Sequence, residues 1–474
     1  MLTALHGKKS LSETPQTWEK VLFAALLAAA YLLFAHPDIL ETARHAYILL
    51  RSTFDGQFFS FYENTLTRVY GYDYSNAAHY NIAVYLLYAL WELPLYALEK
   101  LTGAVFSDVA LALWCKAIGV GFYLGCGVLL GRLAEAYGCG GKAAAWAPLA
   151  FWLNPISFLT AAIMGQYDSI CLFFVLWALL AYKRRELWKF SFIMGAGLVC
   201  KFFPLFLLLP LLLLAEKRPL KVVAYLAASF WLYLPTTLLF RGNTGDAAFF
   251  NGLMTDRLFA QCFPGGAMNA SYIGIGMALL CVAAWLYTPP TENAQDAAVL
   301  YTGLAVFGIL FLLVLWHPQW LLLLVPFLVL TTLRQHSGPA LAVVDGVLAA
   351  GFVLMIFLLL PNALEGDMLD MGVLNFALGM PYSLTGEGQR AVSFYLGMIP
   401  HLTQLIPVCF YGALLAELVF KAPWKKKTVA EHLNAAGEKQ AVNGRAYAWG
   451  TFVVVIGCVW LVPVLFAYMK TVAH

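Results

Sequence analysis

Three short polar stretches interrupt an otherwise apolar chain, and each carries groups able to do proton or phosphate chemistry. The first is His36-Pro37-Asp38, directly after an apolar run. A carboxylate at a membrane–water boundary can deprotonate or orient an acceptor hydroxyl, or help hold a metal ion; the alternative is an ordinary solvated loop acid. The second is Met164-Gly165-Gln166-Tyr167-Asp168-Ser169, a sharp turn between two apolar runs. Acids and amides are costly near hydrocarbon and usually face a wet cavity. The competing reading makes Asp168 a helix N-cap. The third is His317-Pro318-Gln319-Trp320, which is also readable as a plain proline turn. Two cations complete the set. Lys201 lies inside an apolar run, where an ammonium needs a phosphate or other partner, or a route by which to snorkel. Arg257, beside Asp256, either binds phosphate or pairs with surface acids.

These residues must be positioned by membrane helices. Of the 474 residues, 62% are hydrophobic and 12% charged, and the mean hydropathy is +0.75. Soluble chains run nearer about 45–50% apolar and about 25% charged. The long apolar runs exclude a soluble or disordered chain and argue against a β-barrel, which would alternate. The expected fold is therefore all-α and polytopic. Apolar segments fall at roughly 18–35, 81–101, 108–131, 143–164, 168–182, 189–203, 204–215, 220–240, 268–287, 297–316, 318–333, 341–361, 393–420 and 447–469. The short pair 189–203 and 204–215 meets at Lys201–Pro204 and reads as two half-length helices.

Charge sets the orientation, because cytoplasmic loops concentrate Lys and Arg. The clusters Lys8/Lys9/Lys20, Lys183/Arg184/Arg185/Lys189, Lys217/Arg218/Lys221 and Lys421/Lys425/Lys426/Lys427 share one side only if one segment before Lys183 does not cross. Segment 81–101, with Glu92, Pro94 and many Tyr and Trp, suits an interfacial or re-entrant helix. About 13 crossings remain. Residues 1–17 form a cytoplasmic N-terminus, and 36–107, 241–267 and 362–392 become outer loops. Loop 421–446 is basic and cytoplasmic. The first outer loop carries Asp38, Glu41, Asp55, Glu63, Asp73, Glu92 and Glu99, and large loops beside helix ends are where a site on the outer face would be built. The apolar run 21–35 ends in His36-Pro37 without a clear small-residue cleavage site and reads as a retained first span. The nine cysteines mostly lie in apolar runs and read as packing residues. No Walker A, dinucleotide GxGxxG, HExxH or GxSxG pattern occurs. This weakens ATP-driven transport, intramembrane proteolysis and lipase chemistry, and the net charge of +3 points to no nucleic-acid partner.

Taken in order, these features resemble the GT-C glycosyltransferases, polytopic enzymes that use lipid-phosphate-linked sugars. The likeness covers roughly residues 18–335, with 336–474 as C-terminal membrane helices. Asp38 resembles the family's first-loop aspartate, and Tyr80–Trp91 resembles a juxtamembrane helix of that loop. The stretch Asn154-Pro155 to Gly165-Gln166-Tyr167-Asp168 is similar to the turn between the third and fourth spans. Gly195 to Lys201-Phe202-Phe203-Pro204 and His317-Pro318-Gln319-Trp320 are similar to later family segments. The Asp-x-Asp and His-Pro-Asp-Glu forms of some branches are absent, since Asp38 is followed by Ile39 and Leu40.

The resemblance implies transfer of a sugar from a polyprenyl-phosphate donor to a lipid or glycan acceptor, by inversion, on the extracytoplasmic face of a bacterial cytoplasmic membrane. Asp38 would be the catalytic base. Glu41, Gln166, Asp168, Lys201, Arg257, His317 and Gln319 would contact substrate. No cofactor is certain; a divalent cation on Asp38 and Asp168 is compatible with the residues. The apolar grooves beside 81–101 would take the polyprenyl tail, and membrane lipids would be further partners. The competing classes are a lipid-linked glycan flippase or other transporter, and a lipid-glycan polymerase or ligase. A transporter built on inverted repeats would pair the break at Lys201–Pro204 with a second one, and the second half offers none.

Overall fold

The computed structural model describes residues 14–66, 78, 80–240, 258, 262–263, 270–335, 337–359, 392–424, 427–433, 441–463 and 465. Arg257 and most of loops 241–267 and 362–392 lie outside the described residues.

The apolar runs form helices, delimited by local capping. Helix α1 (Thr17–Leu33) opens with a capping box between Gln16 and Glu19. α2 (Pro37–Phe54) begins with proline at its first turn, and the His36 side chain accepts the Asp38 amide. A short α3 (Phe61–Leu66) follows. α4 (Ile82–Thr102) is capped by Asn81 and ends at Gly103 with φ 69°. α5 (Asp108–Ala136) starts at a Ser107 cap. α6 (Gly141–Trp152) continues through α7 (Pro155–Ser157) into a π-turn at Phe158–Ile163. Then come α8 (Asp168–Lys183), α9 (Leu187–Leu198), α10 (Pro204–Ala215), α11 (Pro219–Ser229) and α12 (Tyr233–Leu239). The chain continues with α13 (Tyr272–Leu286), α14 (Glu292–Leu313), a 3₁₀ turn at Pro318–Leu323, and α15 (Val325–Arg334). α16 (Gly338–Leu359) and α17 (Leu402–Phe420) follow, and the last segment has π-helical turns at Ala446–Gly450 and Val453–Leu461.

Among the described residues, six helices are long and apolar enough to cross a membrane, or up to eight if each bent pair is one span. The chain thus has the helices of a membrane protein. The expected break near Lys201 is present: α9 and α10 are 12 residues each and separated by Val199–Phe203. At about 1.5 Å per residue, each covers only about 18 Å of a hydrocarbon core of about 30 Å.

Segment 81–101, expected to be an interfacial or re-entrant helix, is helical from Ile82 onward. α4 is a continuous 21-residue helix with the length and composition of a span. Pro94 does not break it, and Glu92 is fully buried, accepting a bond from the Cys115 thiol at 2.7 Å. A buried, partnered acid imposes no demand for an interface.

α5 is the central post, packed against α2, α4, α6 and α8. Polar ties lock the outer helices to it and to each other. Arg51 and Tyr47 of α2 both reach Glu99 of α4, at 3.0 and 2.6 Å, and Arg44 pairs with Asp108 at 2.7 Å. Large apolar side chains such as Leu90, Leu279 and Leu286 remain exposed at the periphery. A bilayer, unlike water, would cover them at no cost.

Candidate active site

Three turns converge at one end of the α5 post. The first turn carries Asp38. Proline at the start of α2 fixes the backbone there, and the Asp38 amide donates to His36 Nδ1 at 3.1 Å. The Asp38 carboxylate remains about half exposed. Glu41 lies one turn further along the same face of α2.

The second turn carries Gln166 and Asp168. It follows the π-turn at Phe158–Ile163, a helical irregularity frequent beside functional sites. Gly165 reverses the chain with φ 76°. Gln166 is buried, and its Nε2 donates to Asp38 Oδ2 at 2.9 Å and stands 3.3 Å from His36 Nδ1. One amide group thus orients both the acid and the histidine beside it. Asp168 is the first residue of α8 and is fully buried. The helix has no side-chain cap bond, so the N-cap reading of Asp168 fails. Ser169 holds the turn to α5 by donating to the Gly119 carbonyl at 2.7 Å.

The third turn, between α9 and α10, carries Lys201. Its ammonium is 3.7 Å from Asp168 Oδ2, an ion pair too long to be a hydrogen bond. Among the described residues, neither Asp168 oxygen accepts a hydrogen bond. The Lys201 ammonium also sits over the Tyr80 and Tyr167 rings, at 4.9 and 4.6 Å from their centres. Its side chain is 6% exposed, so it does not snorkel to solvent. Asp38 lies within Coulombic reach of both Lys201 and Asp168.

The His317-Pro318-Gln319-Trp320 turn joins this group through aromatic packing. Trp320 packs on Phe203, two residues past Lys201, at 4.8 Å, and on the His317 ring at 5.2 Å. Gln319 is buried, and its Oε1 accepts no hydrogen bond. The structure therefore joins Asp38 with Gln166, and Asp168 with Lys201. It places His317 and Gln319 one aromatic layer away, and Arg257 lies outside the described residues.

Sequence reasoning missed three contributors. His36 was visible only as the neighbour of Asp38. Tyr80 and Tyr167 stood inside quoted stretches, but nothing in their spacing revealed a shared cation. As for a metal, Asp38 and Asp168 are already engaged by Gln166 and Lys201. Among the described residues, no three His, Cys, Asp or Glu side chains converge as a metal-binding group.

An apolar groove of about 490 Å³ lies between α4, α5 and α8, lined by Leu87, Leu90 and Trp91 of α4, Ile118 and Phe122 of α5, and Phe173 of α8. Groove and turns share one wall. A Cβ at Gly119 would stand 2.9 Å from the Gly165 carbonyl, so α5 presses directly against the turn. A cup with a proton acceptor, a buried cation and an adjoining apolar trough can hold an amphiphile by its anionic head while a hydroxyl meets Asp38.

The family model described as Glycosyltransferase family 87 matches residues 87–361, more than half of the chain. The matched stretch includes Gln166, Asp168, Lys201, His317 and Gln319, and begins after Asp38 and Glu41. No curated protein and no solved structure matches the chain.

Proposed function

We propose a specific activity for this chain, which belongs to glycosyltransferase family 87: it moves one sugar from a polyprenyl-phosphate donor to a hydroxyl of a lipid or glycan acceptor on the extracytoplasmic face. The observation that carries this reading is the convergence of Asp38, Gln166, Asp168 and Lys201, from three turns, beside the α4–α5–α8 groove.

The chemistry is a single displacement. The acceptor oxygen forms a bond to the anomeric carbon from the face opposite the phosphate. The bond from that carbon to the phosphate oxygen breaks, its electron pair leaves with the lipid phosphate, and the configuration inverts. Asp38 takes the hydroxyl proton. Its half-exposed carboxylate is open to an acceptor, and Gln166 holds it in one orientation. Lys201 meets the negative charge that accumulates on the leaving phosphate. In the resting site Asp168 engages that ammonium only loosely, at 3.7 Å. A phosphate can therefore approach Lys201 without first displacing a tight ion pair. Gln319, with a buried and unused acceptor oxygen, suits a sugar hydroxyl. The groove takes the polyprenyl tail, so the donor arrives laterally from the bilayer.

The lysine and arginine distribution supports a cytoplasmic N-terminus and, with it, an outer-face position for these turns. A bacterial cytoplasmic membrane fits that topology.

The test is sugar transfer by the full chain in liposomes. It uses a panel of polyprenyl-phosphate sugars and membrane lipid extract as acceptor, and compares the wild type with Asp38→Asn. Addition of a single sugar, lost in a folded variant, is the expected result. Absence of transfer from every donor, with labelled lipid-linked glycan moving between leaflets instead, would replace the transferase by a flippase.

A further inference from the structure

Among the described residues, Lys116 is the second buried lysine at these turns beside Lys201, and the transfer chemistry does not use it. It is in the third turn of α5 and is fully buried. Unlike Lys201, it has no acidic partner among the described residues. Its ammonium faces backbone carbonyls: Phe34 at 2.6 Å, Ala30 at 2.9 Å, Ile163 at 2.9 Å and Tyr31 at 3.3 Å. The Tyr31 ring adds a cation–π contact at 5.6 Å.

Those carbonyls belong to two chain ends. Ala30 and Tyr31 are in the last turn of α1, whose final four carbonyls have no partner within the helix, and Phe34 is its C-cap. Ile163 closes the π-turn. α1 ends three residues before His36, the N-cap of α2, and Ile163 comes three residues before Gln166. One ammonium therefore ties the segment that delivers Asp38 to the segment that delivers Gln166 and Asp168. A positive charge at a helix C-terminus is also where the helix dipole favours it.

The turn is shaped around this lysine. A Cβ at Gly165 would stand 2.5 Å from Lys116 Cγ, and the glycine's φ of 76° is itself strained for other residues. Gly119, one turn along α5 from Lys116, packs against the same turn from beneath. The 2.9 Å bond between Gln166 and Asp38 thus depends on two backbones that meet at Lys116.

We propose that Lys116 is a positioning residue for sugar transfer, holding the Asp38 turn and the Gln166–Asp168 turn in register by binding the carbonyl ends of both. This rests on the reading of those residues as the transfer site. The ammonium contacts neither substrate nor reacting atoms. It acts through the placement of Asp38 against Gln166.

The experiment pairs hydrogen exchange with kinetics on the full chain in lipid nanodiscs. In the wild type, the amides of 38–40 and 165–168 are expected to open together as one cooperative unit. In Lys116→Met, exchange should rise about 10-fold or more in both turns, because buried carbonyls lose their donor, while the distant α16–α17 pair is unchanged. The kcat should fall about 100-fold with donor KM little altered, the signature of misplacement rather than lost binding. Lys116→Arg, which keeps the charge and the donors, should recover part of both readouts. It also serves as the test variant if the methionine form does not fold. Independent opening of the two turns in the wild type overturns the proposal. So does unchanged exchange in a folded variant, or raised exchange with unchanged kcat. If the wild type transfers no sugar, or Asp38→Asn is fully active, the functional reading fails by itself. The exchange measurements then still decide whether Lys116 joins the two turns.

Discussion

The two ends of this molecule each bury a lysine among acids, and they do so in opposite ways. At one end, Lys421 pairs with Asp345 at 3.3 Å and with Glu417 one turn earlier on α17, and all three side chains are completely buried. The other Asp345 oxygen accepts bonds from Thr332 at 2.6 Å and Tyr447 at 2.7 Å. Four segments are thereby tied together, and the aspartate has no capacity left for a ligand. At the other end, Lys201 stands 3.7 Å from an Asp168 that accepts no hydrogen bond among the described residues, and the neighbouring Asp38 is about half exposed. The 3₁₀ turn at Pro318–Leu323 and α15 connect the two ends: His317 precedes the turn and Thr332 lies in the last turn of α15. Similar residue types thus serve two purposes. At the first end Asp345 gathers Lys421, Thr332 and Tyr447 into a structural tie, although neither Glu417 oxygen accepts a hydrogen bond among the described residues, whereas Asp168 gathers no donor and stands near the half-exposed Asp38, which leaves capacity for a substrate.

The sharpest separation of the two ends is Asp38→Asn. Loss of a general base should lower kcat by about 10²–10⁴-fold, with thermal unfolding of the detergent-solubilised protein unchanged. A comparable loss of stability would mean that this end is structural too. Lys421→Met should do the reverse. Removing one partner of a buried pair costs about 3–5 kcal/mol, read as a lower unfolding temperature, and transfer per folded molecule should persist. A selective loss of transfer at full stability would break the contrast. Lys201→Met lies between them. Transfer should fall about 10²–10³-fold as leaving-group stabilisation disappears. Adding Asp168→Asn should restore stability, by removing an uncompensated acid, without restoring the rate.

A milder effect is expected at the groove. Gly121 on α5 borders it, and a Cβ there meets nothing within 4 Å, so Gly121→Leu can fill the trough without a clash. The KM for a long-chain polyprenyl donor should rise about 10-fold, the scale of a mismatched apolar pocket, while a short-chain analogue is spared. Equal effects on both donors would remove the groove from the substrate path. The smallest effect concerns a tie remote from both clusters. In the turn after α10, Glu216 accepts from the Arg218 side chain at 2.9 Å, and those bonds hold its carboxyl down at about 2. A lowered carboxyl stabilises the fold above its ordinary range near about 4.3 and loses that contribution as pH falls toward about 2. Glu216→Gln should flatten this acid limb of the unfolding profile slightly and leave transfer at neutral pH untouched.

Much of this contrast was legible before any coordinates. Asp38, Asp168 and Lys201 stand out because an ionisable group in an apolar run demands a reason. The half-length pair around Lys201 followed from counting residues between Lys189 and Glu216. Asp345 and Glu417 meet the same criterion, but neither sits at a polar turn between apolar runs, where the chemistry is expected. Lys116 gives no signal of its role, since its partners are carbonyls, which every residue possesses and no sequence pattern distinguishes. Glu92 and Pro94 suggested an interfacial segment, whereas in the fold Glu92 is buried against a thiol contributed by α5.

By itself, the sequence determined the class of solvent, the all-helical architecture and the turns that bear chemistry, because hydrophobic length and local capping act within a few residues of the chain. Only the tertiary structure decided which polar groups are satisfied and which retain capacity. That distinction depends on distances between side chains far apart in sequence, such as the 128 positions separating Asp38 from Gln166, and on which carbonyls α5 finds at the end of α1.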